Sequence, residues 1–195
     1  MNKLMGFFEL RDSGLPTIPW REYTGTEVLQ PDLLWTVRSA VYRGADQNLP
    51  RVVGVTAEEA ETFARDLHDR QKDAGMVVYY PYFIANKSGT LNVFQNRAII
   101  EAVPKDLWNL VTYSDRTVTY EFSEEGVMAD GDRTFLSEEE LSQITKGIPT
   151  IRKSFRDELL EGKSVLLEWS LAQNSDLDSR PVGEEFLVFY EMRTI

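Results

Sequence analysis

The sequence predicts an α+β fold of mixed, mostly antiparallel sheets with segregated helices, as one domain or as two small lobes around a cleft. Three observations carry the prediction. Two capping boxes, Thr56 with Glu59 and Ser137 with Glu140, each open a helical stretch. Runs of β-branched and aromatic residues (LLWTVRSAVY, MVVYYPYFIA, SVLLEWSLA, EEFLVFYEMRTI) are bounded by short polar segments. The last two runs are joined by the polar loop QNSDLDSRPVG alone, which makes them a hairpin.

In chain order, residues 1–13 read as a helix ended by the turn chemistry of GLPTIP, Gly14 to Pro19. LLWTVRSAVY is a short strand. A helix runs from about Ala57 to Ala74, with Gly75 as its αL cap. MVVYYPYFIA is then a buried strand, ANKSGT a turn, and LNVFQNRAIIEAV the partner strand. VTYSDRTVTYEF adds one or two more. The helix after Ser137 stops near Gly147, and IPTIRKSFRDELLEG forms a second helix stopped near Gly162.

Composition narrows the function. The 195 residues are 42% hydrophobic, enough to build a core for one domain. The sequence has no cysteine and one histidine, which excludes thiolate chemistry, zinc–thiolate sites and polyhistidine metal sites. Any metal must sit on oxygen ligands, which favours magnesium, calcium or manganese. A net charge of −11 repels phosphate backbones and argues against nucleic acid as a partner. No apolar run is long enough for a membrane span and MNKLMGFFEL lacks the features of a secretory signal, so the expected location is cytoplasmic. His68, among Asp66, Asp69 and Arg70, reads as an exposed helix residue.

The closing hairpin holds the sharpest local signal. Leu166, Glu168 and Ser170 share one face of their strand, and in the last strand Leu187, Phe189, Glu191 and Arg193 alternate with Phe186, Val188, Tyr190 and Met192. Pairing Ala172 with Leu187 brings Glu168 opposite Glu191. Two facing carboxylates repel unless a cation lies between them, and a divalent ion on oxygen ligands would meet that need. In that case Glu191→Gln is expected to relieve repulsion in the metal-free protein. The alternative is a different register that leaves both glutamates at a solvated edge. Arg38, following the apolar LLWTV, needs an anionic partner, either a phosphate or a carboxylate.

Taken together, these segments resemble the nucleotide-binding domain shared by phosphoenolpyruvate synthase, pyruvate phosphate dikinase and rifampin phosphotransferase. There a Glu-Trp-Ala strand is followed by a Gln-x-Arg-Pro strand. Here Glu168 matches the Glu, Glu191 stands at the Gln and Arg193 matches the Arg, whereas Leu166 and Thr194 replace an Asp and the Pro. Lys3 lies eleven residues before Gly14, the spacing of the family's lysine to its G-L-P-V-P segment, and VRSAV at Arg38 resembles V-R-S-S-A. ADQNLPRVVGV, Ala45 to Val55, stands where the family has a small-residue loop over the phosphates. The resemblance implies an ATP-grasp fold binding Mg-ATP. Lys3 and Arg38 would grip the phosphates, and Glu168 and Glu191 would hold magnesium. Tyr80, Tyr82 and Phe83 would form the adenine hinge, unless they are ordinary strand packing. Glu101 and Arg193 would complete the nucleotide site. KDLW replaces the family's G-L-G-E, so no ribose contact carries over.

The implied layout is one compact domain, with residues 1–75 gripping phosphate and 76–195 binding adenine and metal. The implied activity is ATP-dependent phosphoryl transfer to an unidentified acceptor, with a histidine on a separate phosphohistidine-carrying domain as the family's precedent. The alternative is a degenerate nucleotide sensor or scaffold, suggested by Leu166 and the lost G-L-G-E.

Overall fold

The computed structural model describes residues 3–42, 49–71, 74–107, 110 and 116–195. Two antiparallel sheets organise them. The first orders its strands β1 (Arg21–Glu22), β4 (Gly75–Pro81), β2 (Trp35–Val41) and β3 (Arg51–Val55). The second has the order β10 (Pro181–Thr194), β9 (Val165–Ser175), β5 (Phe83–Val93), β6 (Ala98–Pro104), β7 (Val118–Ser123) and β8 (Gly126–Gly131). This is the expected α+β class.

Alternation along each strand decides the layers. In the first sheet Trp35, Val37, Val77 and Tyr79 meet Ala57, Ala60, Ala64 and Leu67 of α2 (Ala57–Gln71). The opposite face, with Ala40, Met76, Val78 and Tyr80, packs on Phe7 of α1 (Lys3–Asp12) and on Ala172 and Val188 of the second sheet. The second sheet's far face, with Leu91, Ile100, Leu167, Trp169 and Phe189, is covered by α3 (Glu138–Thr145), α4 (Ile148–Ser154) and α5 (Arg156–Leu160) through Ile144, Ile148, Ile151 and Leu159. Each fully buried large apolar side chain in this face contributes about 1.5–3 kcal/mol.

Both capping boxes form as expected. Thr56 and Ser137 accept from the N–H of Glu59 and Glu140, whose carboxylates accept in return. Several expectations fail for identifiable reasons. ANKSGT is not a turn but the middle of β5, and the β5–β6 turn lies at Phe94–Arg97. Gly89 misleads because its role is close packing: a Cβ there would lie 1.9 Å from the Glu101 carbonyl and 2.5 Å from the Trp169 ring. Gly75 is likewise no αL cap. It begins β4, where a Cβ would meet the Ala40 carbonyl at 2.3 Å. The segment 148–162 breaks at Phe155 into two short helices, although Gly162 does end it with φ +83°. β4 was grouped by sequence with the second lobe, yet it pairs with β2 and β1 in the first sheet, so the chain crosses between sheets at Tyr82. β8 has no counterpart among the expected elements.

Candidate functional site

The site is built where β2 faces the end of the β9–β10 hairpin. Phe186 pairs with Ala172 and Leu187 with Leu171, one residue away from the register assumed above. A β-bulge between Phe189 and Glu191 then absorbs the extra residue, and Glu191 pairs with Glu168 after all. The bulge also swaps the faces. Leu187, Phe189 and Met192 enter the helix-covered core, while Phe186, Val188 and Tyr190 face the first sheet. Uninterrupted alternation would have driven Glu191 into the apolar core beside Phe189, so the face assignment read from sequence is corrected by the bulge.

The facing carboxylates are compensated by two guanidinium groups. Arg38 Nη2 lies 3.6 Å from Glu191 Oε2, Arg193 Nη1 3.9 Å from Glu191 Oε1, and Arg193 Nη2 3.7 Å from Glu168 Oε1. The requirement for a divalent ion between the glutamates is therefore met by arginine, and the expected relief from Glu191→Gln is reversed: that change would take the carboxylate away from Arg38. Arg38 also stands over the Phe7 ring at 5.4 Å. Burial alone would lower its pKa, but Tyr80 and the carboxylates of Glu191 and Glu168 outweigh that and raise it. Tyr190 lies in the bulge. Burial and then the charge of Glu168 push its phenol well above the usual range, opposed by a hydrogen bond with Ser170 and reinforced by Glu191 and Tyr80. It is a neutral hydroxyl at pH 7.

Cross-strand register extends the site sideways. Glu191 pairs with Glu168, Glu168 with Thr90, and Thr90 with Glu101, so four side chains line one row of one face. Thr90 Oγ1 donates to Glu101 Oε2 at 3.4 Å, and Arg116 forms an ion pair with Glu101. The next row brings Ser88 and Ser170 together in a buried hydrogen bond of 2.7 Å.

Of the residues singled out by sequence, the fold gathers Arg38, Glu168, Glu191 and Arg193, with Tyr80 beside Arg38 and Glu101 in the row of Glu168. Tyr82 occupies the crossing between sheets, its N–H donating to the Leu34 carbonyl at 2.8 Å and its ring covering Gly54 of β3. Phe83 packs toward Tyr190, with ring centroids 6.0 Å apart. Tyr80 and Phe83 thus take part in the core between the sheets. Lys3 begins α1, and its side chain lies outside the described residues, as do residues 45–48 of the loop matched to a phosphate cover. Sequence reasoning missed Tyr190 and Arg116. The isolated ion-pairing of Arg116 left no local signal, whereas an odd residue between Phe189 and Glu191 was readable only once the partner strand was known.

The donor set is two carboxylates interleaved with two guanidinium groups. Among the described residues Arg193 Nε is buried without a hydrogen-bond partner, so an incoming acceptor oxygen would complete it. Among the described residues no three His, Asp or Glu side chains converge, so a metal held by Glu168 and Glu191 would need further oxygens from its companion ligand. Cavities of about 170 Å³ beside Pro81 and Phe83 and of about 300 Å³ beside Ser137 and Glu185 do not include the glutamate pair. The site therefore rests on register and charge.

No family model and no curated protein matches the sequence. Solved structures do share the fold. The chain is similar to D-alanyl-alanine synthetase A from Vibrio cholerae (TM-score 0.52, 9% identity, 98% of this chain and 54% of that one). It is similar to N5-carboxyaminoimidazole synthetase from Staphylococcus aureus, also solved with ADP (0.52, 10%, 98% and 43%). D-alanine–D-alanine ligase from Bacillus anthracis is a third (0.51, 13%, 100% and 56%). The chain spans about half the length of the solved structures it matches. The fold is thus ATP-grasp-like, the class these synthetases and ligases represent. The narrower likeness to phosphoenolpyruvate synthase and its relatives rests on the sequence motifs alone.

Proposed function

We propose that this chain binds a magnesium–nucleotide complex between its two sheets and takes part in ATP-dependent phosphoryl transfer. The observation that carries the reading is the Glu168–Glu191 pair on the face that meets β2, with Arg38 and Arg193 interleaved. Glu168 and Glu191 would hold magnesium, Arg38 and Arg193 the phosphates, with Lys3 as the further cation the resemblance supplies. When bound, the metal–nucleotide complex supplies a transferable phosphoryl group with part of its charge neutralised. The residues contribute position and charge: Arg38, fixed by Phe7 and Tyr80, presents its guanidinium without reorganising at the moment of transfer. Tyr80 to Phe83, at the crossing between sheets, would border the base.

Similarity to synthetases and ligases favours a carboxylate as acceptor. A histidine on a separate partner domain rests on the sequence resemblance alone. Thermal denaturation with Mg-ATP, Mg-ADP and Mg-GTP tests the reading. At a hundredfold excess over Kd the ligand stabilises the protein by about 2.7 kcal/mol. Absence of a shift with all three nucleotides refutes nucleotide binding by this chain, and binding without phosphate release across candidate acceptors favours the degenerate sensor instead. Glu168→Gln should weaken the magnesium dependence of binding while leaving a metal-free contribution from the arginines.

A further inference from the structure

Among the described residues, strand β8 (Gly126–Gly131) closes the six-stranded sheet and has β7 on one side only. Its backbone directions follow from one bond. Asp132 N donates to the Thr117 carbonyl at 2.9 Å, in the register that pairs Asp130 with Thr119 and Met128 with Glu121. Hydrogen-bonded and non-bonded pairs alternate in an antiparallel ladder, so Val127 and Ala129 turn their N–H and C=O groups away from β7. The Ala129 carbonyl confirms this by accepting from Arg133 Nη2 at 3.1 Å.

Exposed edges are ordinarily blunted by proline, lysine or a bulge. β8 has none of these, and its pairing with β7 runs without a register shift. Val127 and Met128 are each 62% exposed. The charge around the edge is one-sided: Glu121, Glu124, Glu125, Asp130 and Asp132 surround it, with Arg97 already paired to Glu121 and Arg133 turned to Ala129. Faces alternate, so Met128 and Asp130 lie on the side of Glu121 and Thr119, and Val127 and Ala129 on the side of Phe122 and Tyr120.

We propose that this edge receives an extended segment of a partner polypeptide in which basic and apolar residues alternate, added as a seventh strand. Its basic side chains lie beside Asp130 and Met128, on the face that carries Glu121, its apolar ones beside Val127 and Ala129, and its backbone bonds the outward groups, displacing Arg133 from the Ala129 carbonyl. A second copy of this chain is the poorer occupant, because both copies carry a net charge of −11. The proposal is independent of nucleotide binding.

The test uses the whole chain and a capped synthetic peptide of alternating lysine and valine, with a glutamate–valine peptide as control. Hydrogen exchange read by NMR should show protection of the Val127 and Ala129 amides rising by about tenfold or more, while Met128 and Asp130, already bonded to β7, change little. Val127→Pro removes one outward N–H without touching the β7 ladder and should weaken binding severalfold. Should that variant fail to fold, Asp130→Lys serves, exchanging preference for the lysine peptide for preference for the glutamate one. Unchanged protection, equal binding of both peptides, or protection that rises with protein concentration in the absence of peptide each overturns the proposal, the last in favour of self-association.

Discussion

Along β9, Leu167, Trp169 and Leu171 enter the helix-covered core, whereas Glu168 and Ser170, one step away on the same strand, face the first sheet. Both sets are buried or nearly so, yet they are held by different physics. The helix side gains from non-directional apolar burial and close packing, typified by the Trp169 ring lying on Gly89. The inner side holds carboxylates, hydroxyls and guanidiniums that pair with one another: Ser88 with Ser170 by a hydrogen bond, Glu191 with Arg38 and Glu168 with Arg193 by charge. One face specifies the fold, while the other keeps charges where apolar residues would pack with less risk. A sequence retains such groups at a cost to local consistency, and sites of function are where that pattern is expected.

Substitutions on the two faces separate these roles. Trp169→Ala on the helix side should cost about 3–5 kcal/mol by leaving a cavity under α3 to α5, measured by urea denaturation. Arg38→Ala on the inner side should cost about 3 kcal/mol, because Glu191 would stay buried with one fewer cation; a loss of less than about 1 kcal/mol would mean that Arg193 compensates alone. Gly89→Ala should cost about 1–3 kcal/mol, since backbone on one side and Trp169 on the other leave no room for a methyl group. Ser88→Ala should cost about 1 kcal/mol, with the double change Ser88→Ala and Ser170→Ala costing less than the sum, as expected when both partners of a buried bond are removed.

The smallest effect concerns the junction of α3 with β5. Glu140 is desolvated by burial, which raises its pKa. Bonds from Lys87 Nζ at 2.6 and 2.9 Å and from the Ser137 N–H outweigh this, and the net shift is downward from 4.5. A depressed carboxylate contributes stability that is present above its unfolded pKa and is lost as pH falls through the folded value. Glu140→Gln should therefore lower stability by about 1 kcal/mol at pH 7, a deficit that narrows only below about pH 4.5. A deficit that stayed constant down to pH 3 would show that the carboxylate charge contributes nothing.

How much of this was legible in the sequence depended on how local the cause was. The capping boxes at Thr56 and Ser137 were readable because donor and acceptor lie three residues apart. The two closing strands were readable from apolar runs that exceed any competing signal. Gly89 could not be read correctly, because the reason for it is Trp169, eighty residues downstream and directly opposite it on the neighbouring strand.

The sequence by itself determined the α+β class, the order of most elements and the candidacy of Arg38, Glu168, Glu191 and Arg193. Local propensity and side-chain chemistry act over a few residues and need no partner to be recognised. Only the tertiary structure decided that Glu168 and Glu191 face each other through a bulge rather than by simple alternation, and that arginines lie between them. The physical reason is that a strand's faces and register are properties of a pair. One extra residue in β10 exchanges every side chain beyond it between core and cleft, and nothing within β10 alone states where its partner accommodates it.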